Sequence, residues 1–234
     1  MNKIDYGIDA APFMRSAFAI SGVLALIGMM LEKLDYAGWA IPFFVIGFVP
    51  LLLGTIMFFY GKYGKFKMRD YIISKINWRG DERVLDIGSG LGLLLNEVAK
   101  HLTTGKAIGI DIWSEKDLSN NSLANAWRNA ELEGMKNKIE ILTEDARKLN
   151  FADNSFDVIV SMLCIHNIEE AGGIEAACFE IARVLKTNGT AIIADYVPTH
   201  DYAKAFVKAG LTIKSSKSYF GIALGPMWMV EATK

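Results

Sequence analysis

The stretch Val84-Leu-Asp-Ile-Gly-Ser-Gly-Leu-Gly92 passes from a short apolar run into a glycine-rich turn and then into an apolar-periodic segment. That order is strand, turn, helix. Gly88 and Gly90 carry no Cβ, so the backbone can turn tightly and a ligand can approach it closely. A ligand lying there is expected to meet backbone N–H groups at a helix N-terminus. The glycines stand at 88, 90 and 92, with Leu93 where a dinucleotide-binding turn would carry Gly or Ala. Asp86, two residues before the first glycine, adds a carboxylate that would repel a pyrophosphate and suits a cationic ligand.

Downstream of this turn, strand-like and helix-like runs alternate. Strands are expected at 83–87, 106–111, 138–143, 156–161, 190–195, 212–218 and 228–232. Helices are expected at 91–102, 117–134, 174–185 and 201–209, with Gly134 closing the second as a C-cap and 186–189 forming a turn. This alternation predicts an α/β domain, doubly wound around a mainly parallel sheet.

Five segments in this order resemble the class I S-adenosylmethionine-dependent methyltransferases, with the nearest look to the branch containing the ubiquinone and menaquinone C-methyltransferases. They are the 84–92 turn, Ile108-Gly-Ile-Asp-Ile112, Thr143-Glu-Asp-Ala146, and Phe156-Asp-Val-Ile-Val-Ser161 followed by Arg183-Val-Leu-Lys-Thr-Asn-Gly189. The resemblance covers roughly residues 66–200. Thr187-Asn188 replaces the family's usual Pro-Gly, a change confined to a turn. It implies a Rossmann-like fold with a seven-stranded sheet, helices on both faces, and S-adenosyl-L-methionine as cofactor, with S-adenosyl-L-homocysteine as product. It also implies a cofactor site of Asp86, Gly88, Ser89, Gly90, Gly92, Asp111, Ile112, Asp145, Ala146 and Ser161. Asp111 would accept from the ribose hydroxyls and Asp145 from the adenine amino group, with the Ala146 backbone at the ring edge.

The acceptor side is less legible. Met162-Leu-Cys-Ile-His-Asn-Ile168 follows the fourth strand, where the family brings a loop near the sulfonium. His166 is a candidate general base and Asn167 a candidate contact. Both could equally cap the next helix, and methyl transfer needs little beyond in-line positioning. The Asn-Pro-Pro-Tyr motif of amino methyltransferases is absent. Cys164 reads as packing. With two cysteines, no CxxC and no adjacent His cluster, neither a disulfide framework nor a metal site is expected, and the usage suits a reducing compartment.

The first quarter is different in kind. Residues 16–31 and 37–60 carry no charge, and Glu32, Lys33 and Asp35 lie in the turn between them. At about 1.5 Å per residue the second run reaches about 36 Å, enough for a bilayer core of about 30 Å, while the first reaches about 24 Å. Trp39 and Tyr60 stand where an aromatic belt would place them. Pro42 and Pro50 fall inside the second run. Gly22, Ala25 and Gly28 on one side, and Gly47 and Gly54 on the other, offer small-residue faces for close packing. A buried core hairpin would show the same runs, but a domain this small has little room for two. No small-residue cleavage site ends the first run, as a signal peptide would require.

Three parts follow: a cytoplasmic segment over 1–15, a transmembrane hairpin over 16–61 and a methyltransferase domain over 62–234. Lys3 and Arg15 precede the hairpin, and Lys62, Lys65, Lys67 and Arg69 follow it. The positive-inside rule then puts both termini and the catalytic domain on the cytoplasmic side of the cell's inner membrane. Tyr6 and Asp9 in the first part are candidate substrate contacts. A formal net charge of -1 speaks against a nucleic-acid partner. The expected partners are a small or lipid-like acceptor and membrane lipids, with self-association through the hairpin possible in principle. The competing reading is a cofactor-binding membrane sensor or scaffold without turnover.

Overall fold

A computed structural model describes residues 3–116 and 118–234. It opens with two antiparallel helices, α1 (Ala11–Lys33) and α2 (Ala37–Phe59), of 23 residues each. At about 1.5 Å per residue both exceed a bilayer core of about 30 Å. α1 is longer than its charge-free run because Pro12 starts the helix early. Both are long and apolar enough to cross a membrane.

The two helices meet along small residues. A Cβ on Gly28 would stand 2.8 Å from the Phe44 ring, and one on Gly47 would stand 3.1 Å from Leu24 Cβ. Gly54 packs in the same way against Phe18. Gly22, expected on this face, points into open space, and Ser21 takes its place in the contact. The outer faces are bare: Trp39 is 72% exposed, Leu26 64% and Val45 63%. A core hairpin would bury such side chains.

The helix does not end at residue 61. A π-helical turn, Tyr60–Gly64, carries α2 directly into α3 (Lys65–Ser74). Met68 and Ile72 of α3 are fully buried against the sheet. The boundary expected at 61–62 thus falls at a π-turn inside one continuous helix, which the hairpin and the α/β part share.

The remaining chain is β1 (Arg83–Ile87), α4 (Leu93–His101), β2 (Lys106–Asp111), α5 (Leu123–Leu132), β3 (Ile139–Thr143), β4 (Phe156–Met162), α6 (Gly173–Val184), β5 (Leu185–Asp195), α7 (His200–Lys208), β6 (Thr212–Ser218), α8 (Phe220–Ala223) and β7 (Trp228–Thr233). The sheet order is β3-β2-β1-β4-β5-β7-β6. The first five strands are parallel, and β7 runs antiparallel to both neighbours. Alternate residues feed two cores. Val84, Val158, Val160 and Ile192 face α3, α4 and α5. Leu85, Ile159 and Ile193 face α6 and α7. Strand order reverses between β1 and β4, and ligands of such sheets bind at the carboxyl ends there.

Two expectations need correction. The helix expected from 117 begins at Leu123, where the Ser122 side chain accepts from Asn125 N–H as an N-cap; Asp117 lies outside the described residues. Leu118 instead forms an antiparallel bridge with Asp9, so residues 118–121 are a loop pinned by the N-terminal segment. Residues 186–189 are not a separate turn. β5 runs from Leu185, and they bulge out between the Phe156–Leu185 and Val158–Thr190 pairs, with Asn188 at φ 65.

Candidate cofactor and acceptor site

The glycine-rich turn closes against β2. Gly88 and Ser89 N–H groups donate to Ile110 O at 2.8 and 3.0 Å, and Gly90 N–H donates to Asp111 Oδ2 at 2.8 Å. These three donors are therefore spent inside the protein, contrary to the expectation that they face a ligand; the turn shapes a wall and fixes Asp111. Gly88 and Gly90 have φ of 71 and 51, the left-handed region that glycine enters at no steric cost. A Cβ on Gly88 would overlap the Cys164 side chain, which makes Cys164 the packing residue expected. Gly92 (φ 86) is the N-cap of α4 and does not reach the cavity.

Asp111 is held on both oxygens. Besides Gly90, it accepts from Trp113 N–H at 2.6 Å and from Asn121 Nδ2 at 3.2 Å. Asn121 is not among the expected site residues, because it falls within the helix expected over 117–134. The Asn120-Asn121-Ser122 run before an apolar-periodic segment was the available signal of a loop and N-cap.

Asp86 is fully buried behind the turn, and its Oδ2 has no hydrogen-bond partner among the described residues. Burial, with Asp111 adding repulsion, pushes its carboxyl up to about 8. Ser89 Oγ and Asn121 Oδ1 are also buried without partners among the described residues. All three residues line one cavity of about 810 Å³, large enough for an adenosyl cofactor and an acceptor together. Unpaired acceptor oxygens on Asp86 and Asn121 fit the ammonium and sulfonium of S-adenosylmethionine, so the residues present suit that cofactor.

Asp111, Ile112, Asp145 and Ala146 line the same cavity. Asp145 sits at its rim, where Arg147 grips both carboxylate oxygens (Nη2–Oδ2 2.5 Å) and holds the carboxyl below its usual range; Arg147 also pairs with Glu170. Ser161, an expected cofactor contact, does not reach the cavity. It is fully buried, and its hydroxyl donates to Ile87 O at 2.8 Å, stitching β4 to β1.

His166 and Asn167 lie on a 3-10 turn, Ile165–Asn167, and both line the cavity. Neither caps α6, whose N-cap is Gly172. His166 Nδ1 stands 2.5 Å from Asp195 Oδ1. Asp195, at the end of β5, has no exposed surface and also accepts from Tyr196 N–H, His166 N–H and Tyr202 Oη at 2.8, 3.2 and 3.1 Å. Asp195, like Asp111, is an acid at a strand end, but it lies outside the family's motifs.

Tyr6 and Asp9 also line the cavity. Tyr6 Oη donates to Glu133 at 2.8 Å and accepts from Asn96 at 3.3 Å, so its hydroxyl turns toward α4 and α5; burial holds it well above its usual range. Lys65, almost fully buried, donates to Tyr6 O, Gly7 O and Asp9 Oδ2. One ammonium after the hairpin thereby fastens the segment before it. The far end of the cavity is apolar, with Phe13, Leu53, Ile56 and Met57 from α1 and α2 and Phe220 and Pro226 from the C-terminal segment. Tyr60, expected at a membrane interface, is buried and lines this end instead.

Residues 85–193 match the family model described as "Methyltransferase domain". Among curated proteins, a sterol 4-C-methyltransferase of Caenorhabditis elegans is 29% identical over 135 residues, covering 57% of this chain and 37% of that protein. A demethylmenaquinone methyltransferase of Bacteroides fragilis is 31% identical over 124 residues, covering 51% and 46%. The chain thus spans less than half the length of these relatives. Among solved structures, a SAM-dependent methyltransferase from Aquifex aeolicus matches with a TM-score of 0.58 at 20% identity, covering 70% of this chain and 88% of that one. The [4+2]-cyclase SpnF matches with a TM-score of 0.59 at 18% identity, covering 72% and 81%. At such identity these two establish the fold and no more. The sheet order and the glycine-rich turn are those of the fold that class I S-adenosylmethionine-dependent methyltransferases share, and within it residues 85–193 match a methyltransferase domain.

Proposed function

We propose that this chain is a membrane-anchored methyltransferase whose acceptor is lipophilic and reaches the site from the bilayer. The observation that carries this reading is the continuity of the cavity. The same space touches Asp86, Gly88 and Asp111 at one end and Phe13, Leu53, Ile56 and Met57 of the apolar hairpin at the other. A water-soluble acceptor would gain nothing from an apolar wall continuous with membrane-facing helices. The named activities of the relatives, on sterols and on demethylmenaquinone, are in keeping with a lipophilic acceptor.

The hairpin would insert with both termini on the cytoplasmic side, as the basic residues around it favour. Asp111 would accept from the ribose hydroxyls, Asp145 and the Ala146 backbone would meet the adenine edge, and Asp86 with Asn121 would face the cationic amino-acid portion. His166, backed by Asp195, would take a proton from the acceptor. The cofactor, when bound, supplies an electrophilic methyl group on sulfur; the protein's part is to orient the acceptor, exclude water and hold the proton.

The test uses the full chain in lipid nanodiscs. Incubation with methyl-labelled S-adenosylmethionine and a membrane lipid extract should place label in the organic phase, and a parallel aqueous metabolite extract should gain none. Label in the aqueous fraction alone would overturn the bilayer route. Binding of S-adenosylhomocysteine without label anywhere would instead favour a sensor.

A further inference from the structure

Beside the apolar residues of the hairpin, the cavity wall carries a buried hydroxyl. Tyr60 is buried, lines the cavity, and its hydroxyl has no hydrogen-bond partner among the described residues. It begins the π-helical turn, an irregularity often found at functional sites. The C-terminal segment holds this turn in place: Gly64 lies so close to the Ala223 carbonyl that a Cβ would overlap it. A buried hydroxyl without a partner costs about 1–3 kcal/mol, so a site that keeps one is complete only with a ligand bound.

The second observation is the fate of Asp195. Its carboxylate takes the Tyr196 N–H, the His166 N–H, the Tyr202 hydroxyl and the close approach of His166 Nδ1. It has no exposed surface and does not line the cavity, so it acts on a ligand only through His166. His166 Nδ1 faces Asp195 as a 2.5 Å charge contact without hydrogen-bond alignment, which leaves Nε2 as the imidazole nitrogen for the acceptor. Tyr196 packs edge-on against the ring at 4.4 Å and limits its rotation.

We propose that Tyr60 Oη and His166 Nε2 hold a hydroxyl of the acceptor, and that the acceptor is an amphipathic lipid with an ionisable, phenol-type hydroxyl methylated at its oxygen. This rests on the reading of the chain as a membrane methyltransferase and adds the acceptor's reacting group. Tyr60 donates to the acceptor oxygen. The acceptor O–H bond breaks, and its proton passes to His166 Nε2, giving an imidazolium opposite Asp195. An oxygen lone pair forms the new bond to the methyl carbon, whose bond to sulfur breaks with its electron pair remaining on sulfur. The balance is one ether, one neutral thioether and one proton, later released to water. Tyr60 is then an acceptor-binding residue and Asp195 a positioning residue acting through His166. A purely hydrocarbon acceptor would leave the Tyr60 hydroxyl unpaired.

The test uses the full chain in nanodiscs, methyl-labelled cofactor and 4-dodecylphenol as probe, with dodecylbenzene as control and calorimetric binding of S-adenosylhomocysteine as a separate readout. Wild type should form labelled dodecylphenyl methyl ether and leave dodecylbenzene unlabelled. Tyr60→Phe, which keeps the ring, should raise KM for the phenol about tenfold, the value of one hydrogen bond, with kcat little changed. Asp195→Asn should lower kcat about a hundredfold with KM little changed, and neither variant should alter homocysteine-product binding. Product binding with no labelled ether, label on a ring carbon, or wild-type KM in Tyr60→Phe would each overturn the hydroxyl assignment and leave the membrane methyltransferase standing. Loss of product binding in wild type would overturn that underlying reading instead.

Discussion

The two ends of the one cavity are built by opposite strategies. At the cofactor end, neighbouring strand ends supply everything: β1 leads into Asp86 and the glycine turn, β2 ends in Asp111, and β3 leads to Asp145. The groups there restrain one another, as Gly90, Trp113 and Asn121 restrain Asp111. At the end proposed for the acceptor, the wall is assembled from segments that are remote in sequence: Tyr6 to Phe13, Leu53 to Lys65, His166, Tyr196 and Phe220 to Met227. A cofactor shared by many enzymes calls for a local, reusable cradle. An acceptor particular to one enzyme is met by long-range packing, which varies without disturbing the sheet.

The contrast is broken most severely at Asp111. Asp111→Ala removes the acceptor of three internal donors and the expected ribose contact. It should weaken S-adenosylmethionine and S-adenosylhomocysteine alike by a hundredfold or more, since lost hydrogen bonds to a charged group are worth about 1.5–3 kcal/mol each. Calorimetry on both ligands checks this, and wild-type affinity would remove Asp111 from the site.

Asp86 gives a smaller, pH-dependent effect. Its folded value of about 8 lies above the ordinary carboxyl range, so the ligand-free protein retains a proton that the unfolded chain has lost. The contribution of this group to stability is therefore full below about pH 4 and declines as pH rises toward 8. A cationic ligand favours the ionised form, so cofactor binding should release a proton below pH 8, and affinity should rise between pH 6 and 8. Calorimetry in two buffers of different ionisation enthalpy measures that proton. Asp86→Asn should abolish the release and raise the melting temperature of the free protein more at pH 8 than at pH 5; an unchanged proton count would show that Asp86 does not face the cation.

The smallest effect is expected where the two ends meet. Lys65→Met keeps the stem but frees Tyr6 O, Gly7 O and Asp9. Hydrogen exchange in residues 3–10 should quicken, and cofactor dissociation should accelerate a few-fold, while the melting temperature of the α/β part hardly moves. Unaltered exchange in that segment would mean that its contacts with Asn129, Glu133, Leu118 and Ser119 hold it without Lys65.

Much of the fold was legible because its signals are local. β1, β2 and β6 begin and end where they are expected, and the two apolar helices follow from charge-free runs. Ser161 misled because a polar residue at a strand end resembles a ligand contact; its orientation toward Ile87 O depends on the β1–β4 register. Tyr60 misled for the converse reason. An aromatic at the end of an apolar run reads as an interface anchor, and only the π-turn with the Gly64–Ala223 approach turns it inward.

The sequence by itself determined the strand–helix order, the glycine turn, the acidic strand ends and the apolar hairpin, because each is set by spacing over a few residues. Tertiary structure alone decided that the hairpin runs unbroken into α3, that Lys65 ties the N-terminal segment down, that Asp195 stands behind His166, and that the cofactor cradle and the hairpin share one cavity. Those contacts join residues tens to well over a hundred positions apart, and no local periodicity records which side chains the folded chain brings together.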